Sequence, residues 1–293
     1  MKEYIITKTP IDTIDFQENT VYIKNESKNL SGSIKDRVFN YLIRKLFQTQ
    51  KIYENQIITL ASSGNAAISL VMLCNIYNLK PIIFLPSSTT IERIEILKNL
   101  SGDYFLIDGN MEACNKCAEE FAKRNNGYFI DQFNDKELLN AHEDTFFEII
   151  NEIKNIDLFI TSTGTGVTLS ALGKRLKSYY KKLKINAYEL NESRFISGTL
   201  FAKHKIEGIG PNFIPKNNQT SLIDKTISFD QDRIFDFTLK NEELDYGLST
   251  LGAFIAIQEL NIKNKHILII GFDNKSKYLS AIKEYKQKNE RTN

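Results

Sequence analysis

The sequence predicts an α/β protein built as two doubly wound lobes. Short apolar strands alternate with helical runs of ten or more residues between 56 and 131, and the alternation resumes between 156 and 190. A last helix–strand–helix set occupies 249–286. Residues 21–24 read as a short strand ahead of a polar turn and an amphipathic helical run over 38–47. Then come strand 57–60, turn 62–65, helix 66–77, strand 81–85, helix 91–100, strand 104–108, helix 111–124 and strand 128–131. Near-continuous apolar strands joined by helices imply βαβ units and a parallel sheet covered on both faces. A long helix over 136–154 leads to strand 156–161, helix 167–179 and strand 185–190. The stretch 203–241 has weak periodicity and reads mostly as loop, before helix 249–260, strand 266–271 and helix 275–286. The expected division is a smaller, mobile lobe at 34–138 and a larger lobe from 1–33 with 139–293. Lobes of this kind bind ligands in the cleft between them, at the C-terminal ends of strands.

Composition narrows the function classes. The chain has 293 residues, 42% hydrophobic and 25% charged, a globular balance. A formal net charge of +2 gives no strong pull toward nucleic acid or an anionic membrane. The apolar run 68–76 is broken by Ser69, Cys74 and Asn75, and the opening Lys2, Glu3, Tyr4 does not read as a signal peptide. Three cysteines suit a reducing cytoplasm better than a disulfide scaffold.

Asn29-Leu30-Ser31-Gly32-Ser33-Ile34-Lys35-Asp36-Arg37 is the stretch the chemistry points to. Its serines and glycine are turn and cap residues, so Lys35 falls in the first turn of a helix. The positive end of the helix dipole disfavours a cation there and favours the neutral amine, the form that attacks a carbonyl. Taken alone, the position also suits a solvated lysine. Thr161-Ser162-Thr163-Gly164-Thr165-Gly166-Val167-Thr168 follows an apolar strand and opens a helix. Its backbone N–H groups could cradle a phosphate, or the segment is a tight structural turn. It has neither the Walker nor the dinucleotide glycine spacing. Ser62-Ser63-Gly64-Asn65 is the matching turn of the first lobe, able to hold a carboxylate or simply to cap a helix. Cys114 and Cys117 lie inside a helical run and read as partly buried thiols, not as a metal or redox pair. His142 stands alone on a helix and reads as structural, and the basic run 174–184 reads as a solvated face.

These motifs occur in order with Gln132-Phe133-Asn134, Ala141-His142-Glu143, Glu207-Gly208-Ile209-Gly210-Pro211-Asn212-Phe213-Ile214-Pro215 and Lys277-Tyr278-Leu279-Ser280. Together they resemble the cysteine synthase (O-acetylserine sulfhydrylase) and cystathionine β-synthase family, fold-type II pyridoxal phosphate enzymes with a tryptophan synthase β-like fold. The resemblance runs from about Thr9-Pro10 to Ser280. It implies that Lys35 bonds the cofactor pyridoxal 5'-phosphate as an internal aldimine and later removes the substrate α-proton. It implies that Asn65 meets the ring hydroxyl, and that Gly164, Thr165, Gly166, Val167 and Thr168 bind the phosphate. Ser249, or Thr250 one position on, would meet the pyridine nitrogen, and Ser62, Ser63, Gly64 and Gln132 would hold the substrate carboxylate. The implied reaction is β-replacement on an O-acetylserine-like substrate through an aminoacrylate, giving L-cysteine with sulfide. Alternatives within the resemblance are cystathionine or 2,3-diaminopropionate formation, a threonine synthase- or dehydratase-like elimination, and a catalytically reduced binding homologue. The implied partners are a small amino-acid substrate, a small nucleophile (sulfide or an amine) and a second copy of the chain. The sequence departs from the family pattern at Leu30-Ser31 (Pro-Gly), at Ala66-Ala67 (Thr-Gly) and at Val167 (Gly).

Overall fold

A computed structural model describes residues 4–89, 91–198, 200–211 and 213–292. The chain divides into two compact units, one of Asn29–Ala141 with the start of the chain up to Thr7, the other of Lys8–Lys28 with the chain from His142 onward.

Strands β1 (Ile11–Phe16) and β2 (Asn19–Asn25) come first and pair antiparallel. Next are α1 (Lys35–Gln48), β3 (Ile57–Ala61), α2 (Asn65–Ile76), β4 (Lys80–Pro86), α3 (Ile91–Asn99), β5 (Asp103–Ile107), α4 (Met111–Arg124) and β6 (Tyr128–Phe129). They build the smaller unit around a parallel sheet of order β5-β4-β3-β6. Successive β3 residues point to opposite faces, and Ile58, Thr59, Leu60 and Ala61 are all fully buried, so both faces of this sheet are covered. Phe84 of β4 packs against Phe105 and Phe121, with ring centroids 5.2 and 5.7 Å away.

The larger unit continues with α5 (Glu143–Glu152), β7 (Leu158–Ser162), α6 (Val167–Tyr179), β8 (Lys184–Leu190), β9 (Ser193–Arg194), β10 (Leu200–Phe201), β11 (Lys225–Phe229), α7 (Asp232–Lys240), α8 (Leu248–Leu260), β12 (His266–Gly271) and α9 (Leu279–Thr292). Its sheet runs β1-β2-β12-β7-β8-β9-β10, with β11 also on β8. The pairs β12–β2, β12–β7, β7–β8 and β11–β8 are parallel, while β1 and the short β9 and β10 add antiparallel edges. Helix α8 is buried all round from Leu248 to Ile257, and this stretch is mostly apolar. Phe254 stands edge-on to Phe16 at 5.0 Å and stacks on Phe237 at 5.7 Å.

The structure corrects several sequence expectations. The helix expected over 136–154 is broken. Asp135 accepts a hydrogen bond from the Glu137 N–H and starts a 3-10 turn at Lys136–Asn140, and α5 begins only after His142. The segment 275–286 likewise splits into a 3-10 turn, Lys275–Tyr278, capped by Asn274, and α9. The weakly periodic stretch 203–241, read mostly as loop, contains β11 and α7. β1 escaped notice as an edge strand whose outward positions are polar. Asparagines close several helices in place of glycine: Asn78 after α2, Asn126 after α4 and Asn261 after α8 all have positive φ.

Candidate active site

Lys35 is the first residue of α1, as its turn suggests, but the serines before it do not cap the helix. The N-cap position is Ile34, without a side-chain cap bond. Ser31 and Ser33 face each other with hydroxyls 3.2 Å apart, and the Ser31 N–H donates to Asp36 Oδ2 at 2.7 Å. Gly32, at φ +72°, makes the bend that leads there. The other Asp36 oxygen accepts from Ser69 Oγ of α2 at 2.5 Å. Asp36 is fully buried, so its carboxylate ties the lysine turn to the first turns of α2. Asp36→Ala is expected to cost about 3 kcal/mol, because it orphans a buried N–H and a buried hydroxyl. Urea unfolding checks this, and a loss under about 0.5 kcal/mol would contradict it.

Burial lowers the Lys35 pKa from 10.5 to about 8. Desolvation, not the helix dipole invoked from the sequence, is the cause that stands out.

Between β3 and α2 the turn 62–64 presents a second helix start without a side-chain cap. The Gly64 N–H donates to Ser62 Oγ at 3.3 Å, and Arg93 Nη1 of α3 donates to the Ser63 carbonyl at 3.1 Å. Gln132 Nε2 donates to the carbonyl of Ala61 at 3.0 Å, which fixes Gln132 at the mouth of the same turn. Asn65 opens α2. Thus Ser62, Ser63, Gly64, Asn65 and Gln132 gather at one end of β3, and the Asp36–Ser69 bond holds the start of α1 near the first turns of α2.

In the larger unit the loop 163–166 joins β7 to α6. A Cβ on Gly164 would overlap the Gly208 carbonyl oxygen, and one on Gly166 would lie 2.5 Å from Asn218 Cα. Gly166 also takes φ +83°, a conformation that disfavours other residues. The Gly210 N–H donates to the Thr163 carbonyl at 3.1 Å, and Thr163 Oγ1 donates to Asn218 Oδ1 at 3.2 Å. Val167 is the first α6 residue, helical and 2% exposed. Its side chain therefore packs into the core. Thr168 Oγ1 lies 3.3 Å from His142 Nε2, and His142 Nδ1 lies 3.3 Å from Thr145 Oγ1. His142 is fully buried and fixes the Thr168 hydroxyl.

Ser249 lies in the first turn of α8, and its carbonyl accepts a hydrogen bond from the Tyr188 hydroxyl. Tyr188 is in register with Ser162 across β8 and β7, so Ser249 stands at the same sheet end as the 163–166 loop. The Thr250 hydroxyl is committed to backbone, donating to the Ile270 carbonyl at 3.2 Å and accepting from the Phe272 N–H at 3.1 Å. Tyr278 donates to Asp273 Oδ2 at 2.5 Å, and Asp273 accepts the Gly247 N–H through its carbonyl at 2.9 Å, which seats the start of α8.

Sequence reasoning missed Asp36, Arg93 and Asn218. The first two are ordinary charged residues on helices, and Asn218 sits in the stretch without periodicity. Asn212 lies outside the described residues. Cys114 is buried, which raises its pKa to about 11, and Cys117 is half-buried; both are free thiols. Among the described residues no side-chain cluster is arranged to hold a metal ion, and no helix is long and apolar enough to cross a membrane.

A family model described as pyridoxal-phosphate dependent enzyme matches residues 3–270. The chain belongs to this family. Its cofactor is pyridoxal phosphate, and the larger unit fits a phosphate: α6 starts without a side-chain cap or an acidic first turn, behind two glycines that leave no room for side chains. Family members similar to the chain include a protein from Staphylococcus aureus named cysteine synthase, 32% identical, with 94% of each chain covered. A hydrogen sulfide-producing enzyme from Fusobacterium nucleatum superposes with a TM-score of 0.87 at 32% identity, covering 93% of this chain and 87% of that one. An O-acetylserine dependent cystathionine beta-synthase from Helicobacter pylori gives a TM-score of 0.87 at 27% identity, covering 94% and 95%.

Proposed function

We propose that this enzyme performs β-replacement on an activated L-serine, O-acetylserine, with sulfide as nucleophile and L-cysteine as product. The observation that carries the reading is the Lys35 amine at the start of α1. With a pKa of about 8, roughly a tenth of it is neutral at pH 7, against a few parts in ten thousand for an ordinary lysine. The name of the Staphylococcus aureus relative, cysteine synthase, supports the product, and the O-acetylserine dependence named for the Helicobacter pylori enzyme supports the substrate.

In this reading Lys35 holds the cofactor through Nζ, Gly164, Thr165, Gly166, Val167 and Thr168 take its phosphate, Asn65 meets its ring hydroxyl and Ser249 its ring nitrogen. When bound, the cofactor supplies an electron sink for the substrate α-carbon. A neutral hydroxyl at Ser249, in place of a carboxylate, moderates that sink and suits loss of a β-substituent. Ser62, Ser63, Gly64 and Gln132 hold the substrate carboxylate, helped by the uncapped N–H groups at the start of α2. Lys35 Nζ takes the proton from Cα, acetate leaves Cβ, sulfide adds there, and Nζ returns a proton to Cα. A cytoplasmic setting and a homodimer belong to the same proposal.

Supplying O-acetylserine, O-phosphoserine, serine and threonine separately, each with sulfide, tests it. Cysteine is expected to form fastest from O-acetylserine. A response confined to serine or threonine would overturn the assignment. Ala66 lacks a hydroxyl next to the carboxylate turn and favours testing a second nucleophile. Faster consumption of O-acetylserine with homocysteine than with sulfide would move the reading to cystathionine formation.

A further inference from the structure

We infer that Arg93 is a positioning residue for the substrate carboxylate, acting through Ser63. The inference rests on the reading of turn 62–65 as the carboxylate site. Arg93 Nη1 donates to the Ser63 carbonyl at 3.1 Å and reaches Ser63 Oγ at 3.4 Å. A guanidinium only donates and stays charged at any working pH. On that side Ser63 Oγ must therefore accept, and its own hydrogen is left to donate elsewhere. A carboxylate is an acceptor only, so an outward-turned hydroxyl hydrogen is what it needs.

Ser62 is arranged the same way. Its Oγ accepts from the Gly64 N–H at 3.3 Å, which leaves the Ser62 hydrogen to donate as well. Arg93 thus does for Ser63 what the Gly64 N–H does for Ser62. Ala66, the second residue of α2, offers no hydroxyl, so the two serines carry the hydroxyl donors of the turn. The Arg93 charge adds to the positive end of α2, and both attract an anion. Arg93 stands on α3, apart in sequence from the turn it orders.

The test uses the cofactor-loaded enzyme and compares binding of L-serine with that of ethanolamine, which has the same amine and hydroxyl but no carboxylate. Arg93→Ala is expected to weaken L-serine roughly tenfold and to leave ethanolamine unchanged. Arg93→Lys keeps the charge and is expected to restore part of the loss. Arg93→Ala combined with Ser63→Ala is expected to be little worse than Ser63→Ala alone, because one residue acts through the other. If Arg93→Ala weakens both ligands equally, or if the two substitutions add, the inference is overturned. If Ser63→Ala weakens L-serine while Arg93→Ala does not, the inference fails and the carboxylate site stands. If Ser63→Ala itself has no effect, the carboxylate site fails first and takes the inference with it.

Discussion

Lys35→Ala is expected to lower turnover by about a thousandfold or more, since in the proposed reading it removes the amine that holds the cofactor and moves the α-proton. The loss should fall on kcat as well as kcat/KM, because the group is needed for the chemical step and not only for binding. The same amine sets a pH dependence. Burial lowers its pKa to about 8, so the protonated form, which cannot accept a proton, dominates below that pH. The rate of cofactor capture by the apoenzyme should therefore rise with pH and level off above about 8. An inflection near 10.5, the ordinary lysine value, would mean that burial does not tune the amine in solution. Arginine or glutamine at this position would leave bulk in place, so retained activity in either would also contradict the assignment.

Gly164→Ala is expected to weaken cofactor binding by roughly tenfold to a hundredfold. The added Cβ meets the Gly208 carbonyl oxygen, a backbone atom, so relief requires one of two loops to move. Overpacking of this kind costs about 1–3 kcal/mol, and here the displaced loop is the one proposed to present N–H groups to the phosphate. Titration of the apo variant with pyridoxal phosphate measures the effect. Wild-type affinity in this variant would show that the phosphate is held elsewhere. Gly208, at φ +80°, has nothing near its own Cβ position, so Gly208→Ala tests backbone strain separately from contact.

Much of the candidate site was legible because its loops follow a simple rule. Small residues between an apolar strand and a helix mark both the 62–65 turn and the 163–166 loop, and Lys35 at a helix start follows from the turn before it. What escaped depends on contacts between distant parts of the chain. Asp36 matters because Ser69 is opposite it, Asn218 because Gly166 packs against it, and Arg93 because α3 brings it to Ser63. None of these carries a local signature. The helix expected over 136–154 is lost for a related reason: its apolar spacing is helical, yet Asp135 and the buried His142 break it. The departures at Ala66 and Val167 also have different weights once placed. Val167 is a core residue of α6, whereas Ala66 adjoins the turn proposed to hold the substrate carboxylate, so in that reading specificity is the property its change bears on.

Reduction of the cofactor-loaded enzyme with borohydride, followed by digestion and peptide mass spectrometry, tests the assignment of Lys35 most directly. The expected result is a single peptide carrying the mass of the reduced cofactor, with the modification on Lys35. Modification of a different lysine, or none in enzyme that turns over O-acetylserine, would contradict it.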